Sequence, residues 1–230
     1  MYNSKDIKPN KDKDENLDLS TKAYTQIIDM ISSGSLKMGQ IITEDAMKNK
    51  LGMSKTPIRE AFASLEFEGI ISKNGRSYSI IYPEKEELNE IYEFKREVEG
   101  LASYFATLRM TNEEKNDLKR IMDRIVRENK ENGDPVVLAN LSGELHEAIA
   151  KGGKNNLIRR DIESMRLKLR IVRISLFASM ERKQEELSEH LLIVNAILNN
   201  NPEEARKVMY DHQSDVWDYV KTKVVPRLYY

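Results

Sequence analysis

The sequence predicts a mainly α protein in two parts: a head of short helices closed by a two-stranded ribbon, then an all-α antiparallel bundle of about six helices. Three observations carry that prediction. Residues 42–82 read as a helix, a tight turn, a second helix and then a ribbon. From Glu84 to the C-terminus, apolar residues recur at helical spacing almost without interruption. The breaks in that second part are short and rich in Gly, Asn and Pro: Gly133-Asp134-Pro135, Gly152-Gly153, and Asn199 to Pro202.

The head follows in order. Tyr24, Ile27, Ile28 and Ile31 form the apolar face of a first helix, which Gly34 is expected to end. Ala46, Met47 and Leu51 give a short second helix, and Gly52 makes the turn into Met53 and Ser54. Ser54 is placed to cap a third helix, with Pro57 in its first turn, where a missing N–H costs nothing. Ile58, Ala61, Phe62 and Leu65 supply the buried stripe of that helix, so Lys55, Thr56 and Arg59 point outward from its opening turns. Ile70-Ile71 and Ser79-Ile80-Ile81 then read as strands around a loop containing Asn74-Gly75, with Arg76 at the tip. This is the order of a winged helix-turn-helix, a shape that sets one helix in the major groove of DNA. Taken singly, a Lys/Arg pair is usually a solvated face and an Asn-Gly pair usually just a turn; the ordered combination is the specific signal.

Composition bounds the alternatives. The 230-residue chain is 40% hydrophobic and 33% charged, which suits a helix-rich globular protein of one large or two small domains. A net charge of −1 argues against indiscriminate nucleic-acid binding, yet residues 21–83 hold eight Lys/Arg against six Asp/Glu. With no cysteine there is no disulfide and no thiolate metal site, as expected of a cytoplasmic protein. No apolar run approaches membrane-spanning length, and no secretory leader pattern opens the chain, so no membrane partner is expected. Residues 1–19 alternate Lys with Asp and read as a disordered arm. The expected domains are therefore 1–19, 20–83 and 84–230, with Pro83 at the boundary.

The run SGSLKMGQIITEDAMKNKLGMSKTPIREAFASLEFEGII resembles the DNA-binding domain of the GntR family of bacterial transcription regulators. The likeness spans about residues 22–83 and rests on Gly34, Gly39, Leu51-Gly52, Ser54, Thr56-Pro57, Arg59-Glu60, Leu65 and Glu68-Gly69. Carried over by position, it implies DNA-binding roles for Ser54, Lys55, Thr56, Pro57 and Arg59, and for Gly75 and Arg76 in the wing. Lys55 stands where the family usually has Arg, so a forked contact to guanine becomes a single-point one. The resemblance implies a pseudo-palindromic operator on double-stranded DNA, bound by a homodimer.

In the second part, Leu88, Ile91, Val98, Ala102 and Phe105 mark one helix, and Leu118, Ile121, Met122 and Ile125 another. Further helices are expected near 135–151, 156–178, 181–199 and 202–222, the last opened by Pro202. The only three histidines, His146, His190 and His212, fall in three different helices. Pattern alone leaves them as packed histidines or as a shared metal site, since neutral imidazole suits zinc, nickel, iron or copper.

This part resembles the FCD ligand-binding domain of the FadR branch of GntR regulators. The resemblance implies metal ligands at His146, His190 and His212, with a divalent metal, zinc first and nickel, iron or manganese as alternatives. The family's Asp ligand falls on Ser142, a poor ligand, which leaves a metal-free pocket as the other outcome. A small organic acid is the implied effector, with Lys95, Ser142 and Arg173 as candidate contacts. Lys95 interrupts the apolar stripe with Glu99 one turn later, as either a surface ion pair or a pocket cation. Arg170 and Arg173 either clamp a carboxylate or face solvent. The expectation is a regulator whose grip on its operator a small carboxylate adjusts, and not an enzyme; a three-histidine metalloenzyme fused to a DNA-binding head is the remote alternative.

Overall fold

The computed structural model describes residues 11–33, 35–81, 83, 85–131 and 133–229. The chain divides into two compact units, one running to Met30 and resuming over Gly39–Ile81, the other comprising Ile31–Met38 and Tyr82–Tyr230. The expected boundary near Pro83 lies beside this division, but residues 31–38 group with the second unit. There Met38 N–H donates to the Leu228 carbonyl at 3.2 Å and Lys37 Nζ donates to the Arg227 carbonyl at 3.1 Å.

The first unit contains α1 (Lys11–Ser32, up to Met30), β1 (Ile41–Ile42), α2 (Glu44–Leu51), α3 (Lys55–Phe67), β2 (Ile71–Asn74) and β3 (Ser77–Ile80). Helix α1 begins at Lys11, well inside the stretch read as a disordered arm; residues 1–10 and Gly34 lie outside the described residues. The tract from Lys11 to Leu19 holds neither Gly nor Pro, so a helix held by Ile27 and Ile28 can propagate back through it. Helix α2 is capped by Thr43, whose hydroxyl accepts from Ala46 N–H at 3.1 Å, and ends at Gly52 with φ +66°, a conformation glycine adopts without penalty. Ile58, Phe62, Leu65, Ile70, Ile71, Tyr78 and Ile80 are buried together as the core. Phe62 and Tyr78 meet edge to face with ring centroids 4.7 Å apart. The ribbon has a third strand the sequence did not announce: the antiparallel order is β1-β3-β2, with Ile41 opposite Ser79 and Ile42 opposite Tyr78. Two residues are too few for a period-2 pattern to show.

The second unit is helical: α4 (Lys85–Arg109), α5 (Asn112–Lys130), α6 (Pro135–Gly152), α7 (Asn156–Lys168), α8 (Arg170–Leu176), α9 (Met180–Leu198), α10 (Pro202–Tyr219), a π-helical turn (Val220–Val224) and α11 (Val225–Tyr229). The helix ends are those the sequence encodes. Thr111 and Glu114 close a reciprocal capping box at α5, Asp134 accepts from Val136 and Val137 N–H ahead of Pro135, and Asn201 caps α10 ahead of Pro202. Leu118, Met122, Leu141, Leu145, Ile149, Ile193, Ile197 and Met209 interlock as the core of α5, α6, α9 and α10.

Three expectations need correction. The single helix expected over 156–178 bends at Leu169, whose ψ is near 8°. Leu169 N–H still donates to Met165 and its carbonyl still accepts from Arg173, so the bend needs no Gly or Pro and leaves no sequence mark. The last helix gives way at Val220 to the π-helical turn. In α4, Val98 and Phe105 are only half-buried, because the buried face runs through Tyr92, Lys95, Glu99 and Ser103 instead. None of the described helices is long and apolar enough to cross a membrane.

Candidate nucleic-acid interface and metal centre

In the first unit, Ser54, Lys55, Thr56 and Arg59 are all exposed on the opening turns of α3. Ser54 occupies the cap position with extended φ and ψ, but its side chain makes no capping bond and so remains free to turn outward. Pro57 differs from the others: it is buried, and it shapes the start of the helix without offering a surface. Both outward cations are held by acids at the start of α2, Lys55 Nζ by Asp45 at 3.0 Å and Arg59 Nε by Glu44 at 3.4 Å. At the other end of the unit Asn74 pairs with Ser77, leaving Gly75 (φ +62°) and Arg76 as the exposed two-residue tip of the β2–β3 hairpin.

The second unit brings the three histidines together. α6, α9 and α10 each contribute one, all are buried, and one ring nitrogen from each lies within 4.8 Å of the other two. His146 Nε2 stands 3.3 Å from His190 Nε2. The outer nitrogens are anchored by carboxylates: His146 Nδ1 lies 2.5 Å from Glu99 Oε2, and His212 Nδ1 lies 2.5 Å from Glu189 Oε2. Each carboxylate accepts the Nδ1 proton and thereby leaves the Nε2 lone pair free. His190 is different, since its Nδ1 is buried and has no hydrogen-bond partner. Only the tautomer with its proton there would free Nε2 to ligate.

Burial disfavours the charged imidazolium, pushing His190 well below the ordinary histidine value and His212 down to about 3. Neighbouring histidines add to this at both rings, while Glu186 works against it at His212. Neutral imidazoles backed by carboxylates are a donor set that fits a divalent ion of the zinc class.

Charged groups surround this cluster. Burial lowers the Lys95 ammonium, which sits 2.8 Å from Glu99 Oε1 and donates to Gln213 Oε1 at 2.5 Å; Gln213 Nε2 in turn donates to Glu99 Oε2 at 3.0 Å. Burial also opposes ionisation of Glu99, but His146 and Lys95 outweigh it and hold the carboxyl below the usual range. On α9, Arg182 is only 2% exposed and reaches Glu186 at 2.7 Å, Glu189 at 2.8 Å and Glu185 at 3.0 Å. A small cavity of about 30 Å³ opens over the cluster, and Lys95, Ser142, His146, Arg173, Glu186 and His212 are among its lining residues.

The matches to known proteins cover both units. The FCD domain family matches residues 90–215, and bacterial regulatory proteins of the gntR family match residues 19–78. The chain belongs to the GntR family, with an FCD domain. The HTH-type transcriptional regulator YdhC of Bacillus subtilis is 24% identical over 199 residues, covering 86% of this chain and 89% of its own. The Uxu operon regulator of Haemophilus influenzae is 25% identical over 219 residues, covering 85% and 80%. Among solved structures, Escherichia coli McbR/YncC shares the fold with a TM-score of 0.57 at 19% identity, covering 87% of this chain and 97% of its own. This GntR protein is accordingly a DNA-binding transcription regulator.

Sequence reasoning missed Glu186, Glu189, Arg182 and Gln213 in this FCD domain, and treated Glu99 only as a partner for Lys95. A signal was present. Arg182, Glu186 and His190 recur every four residues and so stack on one face of α9, where an ordinary bundle helix would carry aliphatic side chains. Lys95 and Glu99 do the same on α4.

Proposed function

We propose that this GntR regulator is a cytoplasmic homodimeric repressor whose FCD domain holds a divalent metal, zinc first, and binds a small carboxylate. The observation that carries the metal is the pair of short Nδ1–carboxylate contacts at His146 and His212, which fix both rings with Nε2 turned inward beside His190. The carboxylate reading is supported by Lys95 and Arg173 on the wall of the same cavity. Three imidazoles leave at least one position open to an anionic ligand. A ligand that favours one arrangement of the two reading heads changes operator affinity by its differential binding energy, about 1–3 kcal/mol in typical couplings. In a two-fold dimer the two copies of α3 would lie roughly 34 Å apart, one turn of DNA. Ser54, Lys55, Thr56 and Arg59 would then contact the operator, with Gly75 and Arg76 in the wing.

The test is metal analysis of protein purified without a histidine tag, followed by operator titrations with small carboxylic acids before and after chelation. One equivalent of metal, and a carboxylate response lost on chelation, is the expected result. A second reading has its own observation: Ser142, a neutral hydroxyl, lines the pocket beside Lys95. In that reading the carboxylate binds without metal, and the same titrations would show a response indifferent to chelator.

A further inference from the structure

We infer that Glu186 supplies the anionic protein ligand of the metal centre beside the three imidazoles, with the effector carboxylate adding as a fifth ligand. The inference rests on the metal reading above. Three neutral imidazoles bring no charge, and a buried dication is stabilised by an anion bound directly to it. Ser142 brings none.

Three carboxylates lie near the rings, and two are committed elsewhere. Glu99 and Glu189 accept from the Nδ1 atoms of His146 and His212, on the outer sides of those rings. Glu186 is placed differently. Its Oε1 accepts from Arg182 Nη2 at 2.7 Å, while its Oε2 faces His190 Nε2 at 3.6 Å. Its side chain is 3% exposed and lines the same cavity as His146 and His212. With Glu189 and His212 it also forms a second set of side chains whose possible ligand atoms lie within 4.8 Å of one another.

Two of the separations have the right size. Ligands about 2.0–2.2 Å from a tetrahedral zinc stand about 3.3–3.6 Å from one another. His146 Nε2 and His190 Nε2 are 3.3 Å apart, and His190 Nε2 and Glu186 Oε2 are 3.6 Å apart. Arg182 then has a definite role as a positioning residue: by taking Oε1 it turns Oε2 toward the imidazoles.

The experiment uses full-length, untagged protein stripped of metal. Zinc affinity is measured by competition with a chelator, and coordination is read from the visible spectrum of the cobalt(II) form. Glu186→Gln keeps the shape of the side chain and its acceptor for Arg182; Glu185→Gln, another Arg182 partner, is the control. The expected result is a zinc Kd raised at least about tenfold in Glu186→Gln, an altered cobalt spectrum, and recovery of affinity on adding Ser142→Asp. Glu186→Asp, which keeps the charge but withdraws it by one methylene, should alter the spectrum as well and serves if the Gln variant folds poorly. Unchanged zinc affinity and an unchanged cobalt spectrum in these variants would overturn the role of Glu186 while leaving the histidine centre intact. Failure of the unsubstituted protein to take up zinc or cobalt would overturn both.

Discussion

His146 Nε2 and His190 Nε2 face each other at 3.3 Å across the interior of the helical unit, with no aliphatic side chain between them. Burial pushes His190 well below the ordinary histidine value and His212 down to about 3, with neighbouring rings and cations adding to it. His212 is surrounded by His146 and His190, by Glu186 and Glu189, and by Lys95 and Arg182.

The consequence for stability has a definite sign. The folded state keeps His212 neutral down to about pH 3, whereas the unfolded chain takes up that proton near the ordinary 6.5. Between those values the unfolded state binds more protons, so stability rises with pH and falls as the solution is acidified through the window. Metal-free protein should therefore lose up to about 1.4 kcal/mol per pH unit for each such ring below pH 6.5. Urea titrations in chelator at several pH values between 4 and 7 would measure it, and His212→Gln should flatten the dependence. A profile unchanged by that substitution would refute the assignment.

Arg182 is the charge on which the α9 network depends. Removing one partner from a buried ionic cluster costs about 3–5 kcal/mol, because the others stay behind unpaired. Arg182→Ala leaves the carboxylate of Glu186 buried without its cation. Arg124 makes an equally short contact to Glu144 at 2.7 Å, but both side chains are nearly half-exposed. Arg124→Ala should cost no more than about 1 kcal/mol. Denaturant midpoints of the two variants, measured side by side, check the contrast.

How legible this arrangement was depends on the range over which each feature is encoded. The opening of the last long helix at Pro202 and the α3 stripe at Ile58, Ala61, Phe62 and Leu65 are local patterns, and the structure carries them as the sequence announces. The three histidines could be singled out because they are scarce, but their meeting depends on the rotation of three helices, which spacing along the chain does not specify. Glu99 and Glu186 look in sequence like ordinary members of i,i+4 ion pairs; only packing turns them inward. The bend at Leu169 and the pairing of Ile41–Ile42 with β3 arise from contacts with distant segments and leave no local mark.

The wing offers a test of backbone and charge separately. Gly75 has φ +62°, and a Cβ there meets nothing within 4 Å, so the penalty of a side chain is purely conformational. Gly75→Ala should cost the head about 1 kcal/mol or somewhat more. Arg76→Ala should leave stability unchanged, weaken operator binding, and reduce the salt slope of binding by about one if the side chain meets a phosphate. Thermal melts and operator titrations at several salt concentrations distinguish the two.

The two outward cations at the start of α3 are paired within the head itself. Lys55 is held by Asp45 and Arg59 by Glu44, both acids belonging to the first turn of α2. These pairs are largely exposed on the cation side, so parting them costs at most about 1 kcal/mol each. Arg59→Ala removes the base or phosphate contact and should weaken operator binding by about 1–3 kcal/mol, with the unfolding transition of the helical unit unchanged. Asp45→Asn frees Lys55 and removes a negative charge near the approaching phosphates. It should tighten binding to operator and to unrelated duplex alike, by no more than about fivefold. Fluorescence titrations against both duplexes separate the effects: Arg59→Ala should lower the ratio of specific to non-specific affinity, and Asp45→Asn should leave that ratio nearly constant. If Arg59→Ala bound its operator as tightly as the unsubstituted protein, α3 would not be the element that reads DNA.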